Sequence, residues 1–272
     1  FLVRSELAHM FGYPHAKVEV IVPYVGGGYG SKSYFKIEPL AVVIARKTRG
    51  RPVRLVQSVT ESMLTTRRHP ARVRMKTAVK RDGTLIAREA EVFMDTGAYA
   101  DNGPRVAKRV ISRMLGPYKL DHCKIDVVAF YTNTVPAGSM RSIGGPQSIW
   151  ASESHMDTIA SRLGIDPLDY RMRHLLKRGE VLKPGATAID ADLRQGTQAA
   201  VAPLHWSISS RSKNKGVGVA VGVSDSEAMP VSVALIRLLA DGSVIVLAGT
   251  TEVGQGALGR LQVLSIDART QV

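Results

Sequence analysis

The chain has 272 residues, 44% hydrophobic and 22% charged, which is enough apolar material for one large core or two ordinary ones and excludes a wholly disordered chain. Its net charge of +14 attracts anions: phosphates, an acidic partner or nucleic acid. No apolar run approaches the roughly 18–20 residues that span a bilayer, so no membrane span is expected.

Phe1-Leu2-Val3-Arg4 runs at once into charged residues, unlike a secretory signal. No initiator Met opens the chain, and Leu261 to Val272 stops inside an amphipathic pattern. Both ends read as cut, so an internal piece of a longer protein is expected.

A short helix is predicted over Ser5 to Phe11 and a β-branched strand over Val18 to Val25. A glycine loop, Gly26 to Gly30, follows. Ile37, Leu40, Ala41, Ile44 and Ala45 recur at helical spacing and predict a helix from Ile37 to Arg49, ended by Gly50-Arg51-Pro52. Val53 to Gln57 reads as a short strand. Val73 to Lys80 and Leu85 to Asp95 flank Asp82-Gly83 and read as a hairpin. Gly97 to Met114 mixes glycine, proline and arginine and receives no assignment. Cys123 to Tyr131 is a further strand, and Thr132 to Pro146 a loop.

Ser148 to Leu163 carries a continuous apolar stripe and predicts a helix, with Gly164 as its C-cap. Asp166 and Pro167 suit the N-cap and first turn of another helix, through Leu176. Lys177 to Lys215 is rich in Gly, Pro, Ala and Ser and reads as a linker with a helix near Gln195 to Trp206. Strands are predicted at Val217 to Val223, Val231 to Leu239 and Val244 to Gly249, with a turn at Asp241-Gly242. Helices and strands mix without regular alternation, so the fold class is α+β.

Cys123 is the only cysteine, which excludes an internal disulfide and a cysteine-ligated iron–sulfur cluster within this chain. A cytoplasmic setting fits. Basic residues concentrate at Arg67-Arg68, Arg72, Arg74, Lys76, Lys80 and Arg81. Alternation places Arg72, Arg74 and Lys76 on one strand face. A solvated or subunit-facing basic face is the plainer reading, since no nucleic-acid-binding module accompanies the charge.

Three loops carry chemistry. The first, GGGYGSK (Gly26 to Lys32), lies between a strand and a helix, where glycines let backbone N–H groups approach an anion. It misses a nucleotide-binding P-loop by one residue, because Ser31 stands where that pattern needs Gly before Lys32. The second, NTVPAGSMRSIGGPQ (Asn133 to Gln147), sets Arg141, a planar cationic fork for anionic or oxo groups, among small residues. The third, EVGQG (Glu252 to Gly256), offers the Gln255 amide between glycines. Taken singly, each is compatible with plain turn chemistry.

Together the loops resemble, in order and approximate spacing, those of the molybdopterin-binding large subunit of the xanthine dehydrogenase and aldehyde oxidoreductase family. The first is similar to that family's GGGFGGK loop, with Tyr29 for Phe and Ser31 for Gly. The second is similar to PxxAFRGFGGPQ, with Met140 for Phe, Ser142 for Gly and Ile143 for Phe. The third matches GQG. GRPVRLV (Gly50 to Val56), DTGAYA (Asp95 to Ala100), LGIDPLDYR (Leu163 to Arg171) and KPGATAIDADL (Lys183 to Leu193) extend the resemblance over essentially the whole chain.

The resemblance implies a first molybdopterin-binding domain over residues 1–204, with the linker from about 177, and a truncated second domain over 205–272. It implies a molybdenum–molybdopterin cofactor, plain or in the cytosine dinucleotide form. The implied activity is hydroxylation of an electron-poor carbon with oxygen from water. Electrons pass to 2Fe–2S clusters on a small subunit and FAD on a medium subunit.

By motif position, Gly27, Gly28, Tyr29 and Gly30 lie beside the cofactor, Arg141 acts catalytically at the metal's oxygen ligands, and Gly254, Gln255 and Gly256 hold the pterin or its phosphate. No residue of this chain is assigned as a metal ligand. Ser33 and Ile143 fall in the substrate pocket. Purine-oxidising members carry Glu and Phe there, so an aldehyde or another N-heterocycle is expected. The Arg loop holds no cysteine, which argues against carbon monoxide oxidation. Arg109 or Arg113 could orient substrate. An upstream glutamine loop and a downstream catalytic Glu are expected outside these residues, so the piece alone is expected to be inactive. The alternatives are a basic module binding nucleic acid or an acidic partner, and a P-loop-like nucleotide binder.

Overall fold

The computed structural model describes residues 2–204, 206, 214–224, 233–257 and 259–261. In chain order the helices and strands are α1 (Leu2–Phe11), α2 (Glu38–Lys47), α3 (Val59–Met63), β1 (Ala71–Val79), β2 (Leu85–Gly97), α4 (Gly103–Met114), β3 (His122–Tyr131), α5 (Gly145–Leu163), α6 (Pro167–His174), α7 (Leu193–Val201), β4 (Ala234–Leu238) and β5 (Val244–Ala248). The α+β class holds. Among the described residues, no helix is long and apolar enough to cross a membrane.

By contact the chain divides into two compact units, Phe1–Thr65 with Ser226–Val272, and Thr66–Asp225. This grouping is a different partition from the linear division at residue 204.

In the first unit, α1 starts earlier than expected and buries Leu7 and Ala8. The Thr48 hydroxyl donates to the Ala45 carbonyl at the end of α2. α3 opens with a capping box: Ser58 Oγ accepts from the Glu61 amide, and the Glu61 carboxylate accepts from the Ser58 amide. The Ser-x-x-Glu signature of this start stands in the sequence, although α3 is not among the expected helices.

The strands predicted at Val18 to Val25 and Val53 to Gln57 do not form. Ile21, Tyr24 and Val56 stand exposed. β-branched residues favour extended backbone, but a strand exists only where a neighbour receives its N–H and C=O groups, and Pro23 also lacks a donor. β4 and β5 do form the predicted hairpin around Asp241-Gly242, with Leu239 N–H donating to Ser243 O at 2.9 Å. The predicted strand from Val231 begins at residues outside those described, as does the pattern beyond Leu261.

In the second unit, β1 and β2 pair antiparallel through the predicted hairpin, and β2 and β3 pair parallel. A parallel neighbour requires a crossover. Here α4 supplies it, within the segment Gly97 to Met114 for which no element is expected. Its signal is present: Val106, Val110 and Met114 recur every four residues and are fully buried against Ala90, Val92 and Met94 of β2. Burying each such side chain is worth about 1.5–3 kcal/mol. The buried Arg88 of β2 donates to the carbonyls of Met114 and Leu115, satisfying the C-terminal end of α4.

α5 packs on α4 and α6. Gly164 ends α5 with φ 65°, and Asp166 caps α6 by accepting from the Leu168 and Asp169 amides, both as expected. α6 stops at His174, two residues short of the prediction. The predicted helix near Gln195 to Trp206 is α7, started by Asp192 and followed by a 3-10 turn, Ala202–Leu204. The strand predicted at Val217 to Val223 is absent from the ladders, and that segment runs as irregular chain.

A buried polar network ties α5 to α6. Glu153 accepts from Tyr118 Oη at 2.7 Å, Arg171 Nε at 2.8 Å and the Val221 amide at 2.9 Å, and Arg171 also reaches Asp157 at 2.7 Å. Each polar group of this network thereby finds a partner, which offsets the cost of burying charge.

Candidate functional site

The first and third loops come together within the first unit. The buried Gly28 donates its N–H to the Val253 carbonyl at 3.1 Å. A Cβ on Gly254 would lie 3.4 Å from Gly27 Cα, so the two glycine loops touch along their main chains. Gly26, Gly27, Gly30, Gly254 and Gly256 all have positive φ, as does the non-glycine Tyr29 at 49°. Left-handed backbone of this density turns amides away from regular ladders, as in main-chain anion nests. Tyr29 is 65% exposed.

Side chains close each loop on itself. Ser31 Oγ donates to Gly28 O, and Lys32 Nζ donates to Val25 O at 2.8 Å. Gln255 accepts from the Val253 amide and donates to Thr251 O, while Glu252 accepts from the amides of Gly254 and Gly256. Ser33 is exposed and donates its N–H to Gly30 O. The P-loop alternative finds no support: α2 begins at Glu38, not at Lys32, and the lysine turns onto its own loop.

The second loop lies in the second unit. Its base is tied by Asp95, which accepts from Thr132 Oγ1 at 2.6 Å, the Gly97 amide at 2.7 Å and Arg67 Nη2 at 2.7 Å. Burial opposes the charge on Asp95. Hydrogen bonds from Thr132, Gly97 and Arg67, with the Arg67 charge, outweigh it and hold the carboxyl at about 2, below its ordinary 3.8. The depressed value gives stability that is present above pH 4 and lost as pH falls from about 4 towards 2. The melting-temperature gap between wild type and Asp95→Asn is therefore expected to narrow across that window. A gap constant from pH 7 to pH 2 would show that the ionised carboxylate contributes nothing.

Arg141 is exposed, and its guanidinium has no partner among the described residues. Ser142 and Ile143 follow with φ 70° and 29°, an uncommon pair of left-handed non-glycine residues. Ile143 packs its side chain against the core of β2 and α4. Gly144 rests on α4, where a Cβ would come within 2.8 Å of Val110 Cγ2. The sequence offered Arg109 and Arg113 as substrate-orienting residues. Both are buried, and Arg113 is engaged with the carbonyls of Ser142 and Ile143 and the Ser224 hydroxyl. It therefore supports the loop instead of reaching towards substrate.

Among the described residues, no group of three or more His, Cys, Asp or Glu could hold a metal ion. Within the first unit, the first and third loops present main-chain amides and the Gln255 carboxamide, and their close glycine main chains form a cradle that added side chains would fill, a set that fits an anionic group. In its own unit, the Arg141 loop presents a guanidinium.

The basic residues of β1 do not make a uniform cationic stripe. Arg74 faces Glu91 and Lys76 faces Glu89 across the ladder, and Arg74 lies over the Phe93 ring. This mixed face lends no support to the nucleic-acid alternative.

Comparison with known proteins agrees with the loop geometry. The molybdopterin cofactor-binding domain family matches residues 1–175. The chain is 36% identical over 183 residues to the nicotinate dehydrogenase large molybdopterin subunit of Eubacterium barkeri, covering 67% of this chain and 43% of that protein. It is 34% identical over 269 residues to the xanthine dehydrogenase molybdenum-binding subunit of Escherichia coli O157:H7, covering 94% and 36%. The solved aldehyde oxidoreductase of Desulfovibrio gigas superposes with a TM-score of 0.79 at 29% identity, over 93% of this chain and 29% of that one. The chain thus spans less than half the length of these relatives. On the match over residues 1–175 and these likenesses, it belongs to the molybdopterin cofactor-binding domain family of xanthine dehydrogenase and aldehyde oxidoreductase large subunits.

Proposed function

We propose that this chain is part of the large subunit of a molybdenum hydroxylase that oxidises an aldehyde or a non-purine N-heterocycle. The observation that carries the reading is the contact of the two glycine loops through Gly28 and Val253, with left-handed backbone on both sides. When bound, a pterin-held molybdenum centre, plain or as the cytosine dinucleotide, supplies the oxidising metal and activates water. Gly27, Gly28, Tyr29 and Gly30 then offer main chain to the cofactor. Gly254 and Gly256 admit the pterin closely, and the Gln255 carboxamide, one N–H of which is held by Thr251 O, adds its second N–H as a donor. Arg141 holds developing negative charge on oxygen with a planar fork.

Ser33 and Ile143 shape the substrate end. Neither supplies the carboxylate or aromatic face that would orient a purine. Electrons leave through 2Fe–2S and FAD partner subunits, in a cytoplasmic enzyme. Division of the chain near residue 204, into a first cofactor domain and the start of a second, is part of this reading. The contact units cut it otherwise because residues 226–272 group with residues 1–65.

The test is metal and pterin analysis of the purified holoenzyme, followed by a substrate panel with a dye acceptor. Molybdenum with a pterin is expected, and kcat/KM on nicotinate or an aldehyde should exceed that on xanthine by at least about tenfold, a difference of about 1.4 kcal/mol at the transition state. Highest activity on xanthine or hypoxanthine would reverse the substrate assignment, and absence of molybdenum would overturn the whole reading.

A further inference from the structure

The main chain around Arg141 is shaped by side chains from elsewhere in the second unit. Arg68 Nη1 donates to the Arg141 carbonyl at 3.2 Å. Arg113 Nη1 donates to the carbonyls of both Ser142 and Ile143, the latter at 2.7 Å, while its Nη2 reaches Ser224 Oγ at 3.0 Å. Ser148 Oγ donates to the Gly144 carbonyl at 2.8 Å. Four consecutive carbonyls, from residue 141 to residue 144, are thus each taken by a side-chain donor.

This run coincides with the three positive φ values at Ser142, Ile143 and Gly144. Left-handed non-glycine backbone is costly and persists only where its surroundings over-determine it. Two guanidiniums supply that determination. Arg113 is buried, so its guanidinium plane is held in place by packing: Nη1 serves both carbonyls while Nη2 is anchored on Ser224 Oγ, a fixed planar geometry that a mobile ammonium does not reproduce.

We infer that Arg113 and Arg68 are positioning residues: by holding the carbonyls of Arg141, Ser142 and Ile143 they set the loop path that aims the Arg141 side chain at the cofactor. This rests on the proposed function of the Arg141 loop. Both act through the main chain of Arg141 to Ile143. The flanking residue His69 adds a further tie, its carbonyl accepting from Gln147 Nε2 at 2.8 Å.

The test uses the holoenzyme with Arg113→Lys and, separately, Arg68→Met. Three quantities are measured: molybdenum per protein, turnover per bound molybdenum, and the Mo(V) EPR spectrum after partial reduction with dithionite. The expected result is a fall of about 10- to 100-fold in turnover per molybdenum for Arg113→Lys and a smaller fall for Arg68→Met. KM should stay within about twofold and the EPR spectrum should change, because a displaced loop acts on the reacting centre. If the arginines served only to stabilise the fold, molybdenum content would drop while the remaining loaded molecules kept wild-type turnover and spectrum, and that outcome overturns the inference. Should Arg113→Lys fail to fold, Arg68→Met decides alone, since Arg68 is only partly buried and a wild-type spectrum there removes the role. Wild-type protein without molybdenum would instead refute the underlying functional reading, so the two failures are distinguishable.

Discussion

Arg141→Lys in the holoenzyme is expected to lower turnover by about 10- to 100-fold while molybdenum and pterin remain bound. A guanidinium presents two parallel N–H donors in a fixed plane, and a lysine presents one mobile point charge. Donors set in advance towards developing negative charge typically lower the barrier by several kcal/mol. The structure favours such a role because Arg141 is exposed and has no competing partner among the described residues, while its own carbonyl is held by Arg68. Its cofactor occupancy should survive, since the glycine contacts of the first and third loops do not depend on the Arg141 side chain. Turnover equal to wild type at full molybdenum content would remove Arg141 from the chemistry. Loss of the cofactor itself would recast it as a binding residue.

Glu153→Ala is expected to cost about 3–5 kcal/mol, because it leaves the fully buried Arg171 with only the exposed Asp157 as counter-charge. Tyr118 Oη and the Val221 amide lose their acceptor as well. For a unit of this size, about 2–4 °C of melting temperature accompanies each kcal/mol, so a drop on the order of 10 °C follows. Glu153→Gln retains an acceptor and should lose less. The consequence reaches the site, because α5 carries Gly145 and Gln147 in its first turn and Glu153 two turns later. A melting temperature for Glu153→Ala within about 2 °C of wild type would show that the network can be dispensed with.

The long amphipathic and punctuated elements are legible in the sequence. α5 with its glycine cap, α6 with its Asp166 and Pro167 start, and the hairpin at Asp82-Gly83 each follow from local chemistry that needs no distant partner. α4 escapes such a reading because its Asn102-Gly103-Pro104 start lacks a side-chain cap and arginines interrupt its apolar spacing, although Val106, Val110 and Met114 mark the face. The strands expected at Val18 to Val25, Val53 to Gln57 and Val217 to Val223 fail for the opposite reason. Their composition is right, but pairing is decided by a neighbour that local sequence does not name.

The motif residues themselves can be read from the chain: the glycines of the first and third loops, Arg141, Ser33 and Ile143. Their order and spacing carry the family, because a backbone that must lie close to a ligand requires glycine wherever a Cβ would intrude. Tertiary structure alone decided which groups those residues meet. It set Gly28 against Val253, turned Gln255 and Lys32 back onto their own loops, and packed Ile143 on the core. It also moved Arg113 from a candidate for substrate to a support for the Arg141 loop. The Gly28 and Arg113 assignments depend on contacts between residues separated by tens to hundreds of positions. Only the packed chain sets those distances, and whether a guanidinium finds a carbonyl or a ligand depends on them.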